Sequence, residues 1–84
     1  MKNRTVVGEN DILIFAENLR LLRKNHKPYL SQKRIAEKLG VCRTTYIGYE
    51  LGKRQAPAFF IANASRLFGV SADRMLNEKI RKER

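Results

Sequence analysis

The side chains with the clearest chemical potential lie close together between residues 42 and 54. Arg43, Thr44 and Thr45 are three consecutive hydrogen-bond donors, and Lys53 and Arg54 follow eight and nine residues after Thr45. Guanidinium, ammonium and hydroxyl groups donate to phosphate oxygens, and a guanidinium can also form a bidentate pair with O6 and N7 of guanine. This pattern favours the binding of a polyanion, which could be nucleic acid, an anionic membrane surface or an acidic protein.

The net charge supports the same interpretation. The 84 residues include 18 Lys and Arg against 8 Asp and Glu, which gives a formal charge of +10. Residues 20–54 alone hold ten basic and two acidic side chains, an excess of eight. The middle of the chain therefore contains most of the positive charge, as expected for a nucleic-acid-binding surface.

Residue types for catalysis or metal binding are scarce. Cys42 is the sole cysteine and His26 the sole histidine, so an intrachain disulfide and a zinc finger are both excluded. No paired acidic motif and no glycine-rich phosphate loop is present, and we predict neither an enzyme nor a cofactor or metal site. We interpret Cys42 as a small residue at a helix start, with a reactive or redox-sensing thiol as the alternative. His26 is interpreted as a surface residue.

The length and hydropathy predict one small folded domain. Residues 1–8 lack the apolar run of a signal peptide, and no stretch of 18 apolar residues occurs, so we expect a cytoplasmic or nucleoid location and no membrane association. We divide the chain into a flexible N-terminal arm (residues 1–10), a folded domain (11–76) and a charged tail (77–84), which we expect to be frayed or to extend the last helix.

Apolar periodicity and capping residues predict an all-α fold of five helices, over residues 11–25, 32–39, 43–51, 57–68 and 72–76. Ser31 and Ser71 are placed as N-caps of the second and fifth helices. Pro28 and Gly69 are expected to end the first and fourth helices. No β-hairpin signal interrupts the pattern.

The second and third helices are short and are joined by a tight turn containing glycine, which is the pattern of a helix-turn-helix motif at about residues 31–51. Ala36 is placed where the two helices cross, because a small side chain lets the backbones approach. Gly40 is placed at the turn, where a positive φ is expected. The side chains that we expect to face inward are Ile35, Leu39, Val41, Tyr46 and Tyr49.

An ordered series of residues extends this pattern: Gln32, Ala36, Gly40, then Glu50-Leu-Gly-Lys-Arg54, and later Leu67-Phe-Gly-Val-Ser71. The series resembles the phage Cro and repressor-type (XRE-like) helix-turn-helix family over about residues 15–76. The resemblance implies a compact five-helix, repressor-like domain that binds double-stranded DNA sequence-specifically. It also implies a transcriptional regulator, which we expect to be a repressor that binds an inverted-repeat operator as a homodimer.

The resemblance assigns roles to the matching positions. The implied DNA-binding residues are Gln32, Arg43, Thr44, Thr45, Ile47, Gly48, Lys53 and Arg54. Among them Gln32 contacts a phosphate, Arg43 and Thr44 read base edges, and Lys53 and Arg54 clamp the sugar-phosphate backbone. Gly48 departs from the larger polar residue usual in the family, so either the backbone approaches the DNA closely at this position or Ile47 contacts thymine methyl groups instead. An ion pair between Arg23 and Glu50 is implied to hold the third helix against the first.

Two other functions stay open. One is an antitoxin or restriction-modification controller that regulates its own operon, and the other is an adaptor that has kept the fold but binds protein or RNA. The family resemblance places the homodimer surface around Met75, Leu76 and Ile80. Phe59 and Phe60 are adjacent on one helix, so we expect one to be buried in the core; the other is either exposed for a protein partner or simply buried as well.

Overall fold

The computed structural model describes residues 9–80, and all regular structure in this range is helical. The helices are α1 (Glu9–Asn25), α2 (Gln32–Lys38), α3 (Arg43–Glu50), α4 (Ala58–Phe68) and α5 (Ala72–Asn77). The predicted all-α, five-helix fold is therefore confirmed. Helix α1 begins two residues earlier than predicted, and the remainder of the predicted arm and the last four tail residues lie outside the described range. None of these helices is both long and apolar enough to cross a membrane.

Local capping chemistry explains where most helices begin and end. The side chains of Ser31 and Ser71 accept hydrogen bonds of 3.1 Å from backbone N–H groups three residues later, as predicted for N-caps. Pro57 is the N-cap of α4 and precedes its first helical residue. Gly69 ends α4 in the left-handed conformation, with φ of 68°.

An aromatic cluster connects α1, α3 and α4. Phe60 of α4 is fully buried, and its ring centroid lies 4.6 Å from that of Tyr49, 6.1 Å from that of Tyr46 and 6.3 Å from that of Phe15. Aromatic pairs at such distances stabilise a core beyond the area that they bury. This cluster fixes the back of α3 to the rest of the domain.

The segment after α5 is held against α1 by one buried polar side chain. Asn18 donates from Nδ2 to the backbone carbonyls of Met75 (2.9 Å) and Glu78 (2.7 Å), and its Oδ1 accepts from the backbone N–H of Ile80 (2.9 Å). Glu78 has extended backbone angles. Residues 78–80 thus do not extend the helix beyond Asn77, because Glu78 is extended and Asn18 pairs with the Glu78 carbonyl and the Ile80 N–H.

The structure corrects part of the expected dimer surface. Met75 is completely buried within the protomer, so its side chain offers nothing to a second chain. Leu76 and Ile80 are only half-buried and pack at the edge of the core. Of the adjacent phenylalanines, Phe60 is core and Phe59 is 54% exposed, and a protein partner at Phe59 stays a prediction.

Candidate nucleic-acid interface

The crossing of α2 and α3 depends on two small residues. Ala36 is 1% exposed, and its carbonyl oxygen accepts a hydrogen bond from the N–H of Val41 at 3.0 Å. Gly40 forms the turn with φ of 77°, a conformation that L side chains adopt only with strain. The inward residues are buried as expected, except that Val41 is only partly so. The two helices thereby meet in a fixed orientation.

A buried polar cluster locks α3 from behind, and we call its members Arg23, Gln32, Tyr46 and Glu50 the Glu50 network. The Glu50 carboxylate accepts hydrogen bonds from Arg23 Nε (2.5 Å) and Nη2 (3.3 Å), from the Tyr46 hydroxyl (2.5 Å) and from Gln32 Nε2 (3.1 Å). Arg23 also donates to the carbonyl of Leu30 at 3.0 Å. The ion pair implied by the family resemblance is therefore present and connects α1 to α3, and the hydrogen bond from Gln32 adds α2.

The electrostatics of the Glu50 network favour its charged state. Burial by itself would raise the pKa of the Glu50 carboxyl, but hydrogen bonds from Arg23, Tyr46 and Gln32 lower that pKa below its ordinary value. Burial and the hydrogen bond to Glu50 both raise the pKa of the Tyr46 hydroxyl, so Tyr46 stays a donor. Burial would lower the pKa of Arg23, but its hydrogen bonds raise it overall. A charged pair is thus maintained in the interior at neutral pH.

The opposite face of α3 is open to solvent. Arg43 and Thr44 in the first turn are exposed, and Ile47 and Gly48, four residues later on the same face, are half-buried. Thr45 is half-buried at the edge of this face. The residues expected to read base edges are therefore together on one side of α3, while its buried side holds the helix in place.

At the start of α3, Cys42 is the N-cap residue but makes no side-chain capping bond. Its exposed thiol instead donates to the Thr45 hydroxyl at 3.2 Å. In the thiolate form the sulfur accepts hydrogen bonds from the Thr45 hydroxyl and backbone N–H instead, and this stabilisation of the charged form lowers the pKa of the Cys42 thiol. The Thr45 hydroxyl thus already has a partner within the protein.

Basic residues from three helices surround the exposed start of α3. Arg20 and Lys24 of α1, Lys33 of α2 and Arg43 of α3 line one open groove, which also contains Gln32. Lys53 and Arg54 are exposed on the loop that follows α3. Sequence reasoning had not placed Arg20, Lys24 or Lys33 at the site, although their charges were counted. Their common location depends on how α1 packs beside the motif, which no local pattern reveals.

Sequence reasoning also missed one member of the Glu50 network, the hydroxyl group of Tyr46. Tyr46 was expected only as an inward-facing core residue, whereas its hydroxyl also donates to Glu50. The spacing of four residues between Tyr46 and Glu50 on one helix face is the signal that could have indicated this contact. The exposed Tyr29 hydroxyl also lies 3.4 Å from Arg23 Nη1.

Comparison with known proteins agrees with this geometry. Residues 19–75 match the helix-turn-helix family model. The chain is 41% identical over 71 residues to the HTH-type transcriptional regulator YqaE of Bacillus subtilis, which covers 80% of this chain and 60% of YqaE. The chain thus spans less than two thirds of the length of that relative.

Solved structures show the same fold. The restriction-modification controller protein C.AhdI from Aeromonas hydrophila superposes with a TM-score of 0.67 at 26% identity, over 77% of this chain and 96% of C.AhdI. The SOS-response repressor LexA from Eubacterium rectale gives a TM-score of 0.77 at 19% identity, over 94% of this chain and 82% of that structure. The family match over most of the chain, together with the packed motif, shows that this chain belongs to the XRE-like helix-turn-helix family of DNA-binding transcriptional regulators.

Proposed function

We propose that the chain acts as a sequence-specific regulator, a binding protein and not an enzyme, which inserts α3 into the major groove of double-stranded DNA. The observation that carries this proposal is the division of α3 into two faces. Arg43 and Thr44 are exposed in its first turn, while Tyr46 and Glu50 anchor its opposite side. A helix already fixed before binding loses little conformational entropy when it meets DNA, which favours specific recognition.

Each exposed group has a matching chemical target in DNA. The Arg43 guanidinium pairs with guanine O6 and N7, and such a pair contributes about 1–3 kcal/mol of discrimination between bases. Thr44 reads the adjacent base pair, and Ile47 packs against a thymine methyl group. Thr45, Gln32 and Lys53 contact the backbone. For Gln32, the second amide proton stays available for a phosphate while the first binds Glu50.

We further propose repression by a homodimer, acting at the nucleoid in the cytoplasm. Occupancy of an operator blocks polymerase without any additional chemistry. A two-fold dimer would place its two α3 helices about 34 Å apart, one turn of B-DNA, and would select an inverted repeat. The exposed Phe59 and the half-buried Leu76 and Ile80 are apolar groups that a second protomer could cover.

A restriction-modification controller that represses its own operon is the second candidate. The structural likeness to C.AhdI, at 26% identity over most of both chains, favours it. Both candidates bind DNA through α3, so they differ in the genes regulated and not in the mechanism. An operator located upstream of the chain's own coding sequence, with restriction genes beside it, would favour the controller.

Selection from a random duplex library tests the proposed function. We expect an inverted repeat with half-site centres 10 to 10.5 base pairs apart, and affinity that falls steeply with salt. Arg43→Ala should relax selection at one base pair in each half-site. Arg66→Ala removes the same charge from the exposed last turn of α4 and serves as the control that keeps the motif. Recovery of no motif would contradict the proposal, and sedimentation of the complex gives the number of protomers bound.

A further inference from the structure

The outward face of α3 has a gap at Gly48, which lies one turn after Thr44. A Cβ atom built on Gly48 would lie 2.9 Å from Cδ and 3.1 Å from Cγ of Arg54. Carbon atoms essentially never approach so closely, so the side-chain stem of Arg54 already occupies the space where a side chain at position 48 would begin. A larger residue at position 48 would therefore force the Arg54 side chain to move.

The backbone holds Arg54 in this place. The N–H groups of Lys53 and Arg54 both donate to the carbonyl oxygen of Gly48, at 3.0 Å and 3.2 Å. These bonds fix the Cα atom of Arg54 against the last turn of α3. Gly52, with φ of 73°, makes the sharp turn that brings the loop back. The position of Arg54 is thus set at its backbone and along its stem.

The guanidinium of Arg54 is left available for a ligand. Residue 54 is exposed, and within residues 12–80 the guanidinium takes part in no ion pair. It is attached two bonds beyond Cδ, the atom that lies 2.9 Å from the place where a Cβ on Gly48 would be. A planar group with five N–H donors at this location matches the O6 and N7 acceptors of guanine.

We propose that Arg54 is a specificity-determining residue, which lies across Gly48 and reads a G·C pair in the place of a side chain at position 48. This inference rests on the proposed insertion of α3 into the major groove. It differs from the backbone clamp that the family resemblance implies for Arg54. A phosphate contact would contribute affinity without sequence information, whereas a base contact would determine one position of the half-site.

The test compares wild type, Arg54→Ala and Lys53→Ala in selection from a random duplex library and in binding to the selected site. For Arg54→Ala we expect the guanine preference to disappear at one base pair per half-site, one that Arg43→Ala leaves unchanged. Affinity for the site with guanine should fall about 5- to 150-fold, with little change for the site substituted at that pair. For Lys53→Ala, the matched control, we expect an equal loss for all sequences and a salt slope reduced by about one.

A double-mutant cycle tests the packing of the Arg54 side chain against Gly48. Gly48→Ala should disturb the same base pair in the wild-type background, because its Cβ displaces Arg54. In the Arg54→Ala background the same change should leave selection unaltered and raise Tm, since the space is then free and alanine favours the helix.

The outcomes separate this inference from the proposed function. An unaltered motif with Arg54→Ala, or a uniform loss of affinity with a reduced salt slope, would overturn the role of Arg54 while leaving regulation by α3 intact. If wild type itself selects no motif, both proposals are wrong.

Discussion

Replacement of Glu50 by alanine gives the most direct test of how α3 is held against the domain. The change removes the acceptor of four hydrogen bonds and leaves Arg23, 6% exposed, with a buried and uncompensated charge. Breaking a buried ion pair from one side costs about 3–5 kcal/mol. In a domain of this size each kcal/mol corresponds to about 4–8 °C, so Tm should fall by at least about 12 °C. The total stability of small domains is often only about 5–15 kcal/mol.

Urea denaturation at pH 7, monitored by circular dichroism, measures this loss of unfolding free energy. The chain supplies a matched control in Glu78, whose carboxylate pairs with Arg74 at 3.2 Å while both side chains are more than half exposed (58% and 52%). Glu78→Ala should cost less than about 1 kcal/mol, because solvent screens such a pair. The double variant Arg23→Met with Glu50→Leu should recover most of the loss, since no buried charge is left unpaired. An equal, small cost for Glu50→Ala and Glu78→Ala would refute the argument.

The difference in stability between wild type and Glu50→Ala should depend on pH in a defined way. The folded-state pKa of Glu50 lies below its ordinary value of 4.5, so the stability that it contributes is complete above that value. It is lost as the pH falls through the folded pKa and the carboxyl becomes protonated. The difference between wild type and Glu50→Ala should therefore be constant from pH 7 to about pH 5 and shrink at lower pH. A difference that widens in acid would contradict the assigned direction of the pKa shift.

Four other substitutions, in three experiments, test individual features of the structure. Asn18→Ala should cost about 1–3 kcal/mol and speed amide exchange in residues 78–80, because it removes their side-chain partner; unchanged exchange would contradict this. A Cβ at Gly40 meets no atom within 4 Å, so Gly40→Ala should cost only the strain of its positive φ, about 1 kcal/mol. Gly52→Ala adds a 2.9 Å contact to Leu13 Cδ2 and should therefore lower the stability measured by urea denaturation by more. The pH dependence of Cys42 alkylation should have its midpoint below that of an ordinary thiol, and Thr45→Val should raise it; identical midpoints would exclude the hydrogen bond as the cause.

The parts of the fold that could be predicted depend on short-range physics. A serine hydroxyl satisfies an N–H group three residues later, and a glycine relieves strain at its own φ, so Ser31, Ser71, Gly40 and Gly69 identify helix ends without knowledge of the remainder of the fold. The inward faces of α2 and α3 follow from helical periodicity in the same way. Even the ion pair between Arg23 and Glu50 required the family resemblance, since 27 residues separate them.

Long-range contacts are where sequence reasoning fell short. Asn18 stands in the apolar stripe of α1 between Phe15 and Leu19, and an asparagine there indicates a buried partner without identifying it. Its partners are backbone groups about 60 residues away. The burial of Met75 has the same origin, because α5 packs against α1 and α4, and only this tertiary packing decides which of its apolar residues is covered.

Gly48 affects the candidate site in two ways, through the stability of its own helix and through its contacts with the loop that follows. Taken as one helical residue, it is a defect that weakens α3 by about 0.5–1 kcal/mol relative to alanine. In the folded domain its carbonyl accepts two N–H groups from the following loop, and its missing side chain gives Arg54 a surface to lie on. The reading surface is therefore not the sequence of α3 alone. In the role proposed for Arg54, it includes a residue outside the helix, which lies against α3 because position 48 carries no side chain.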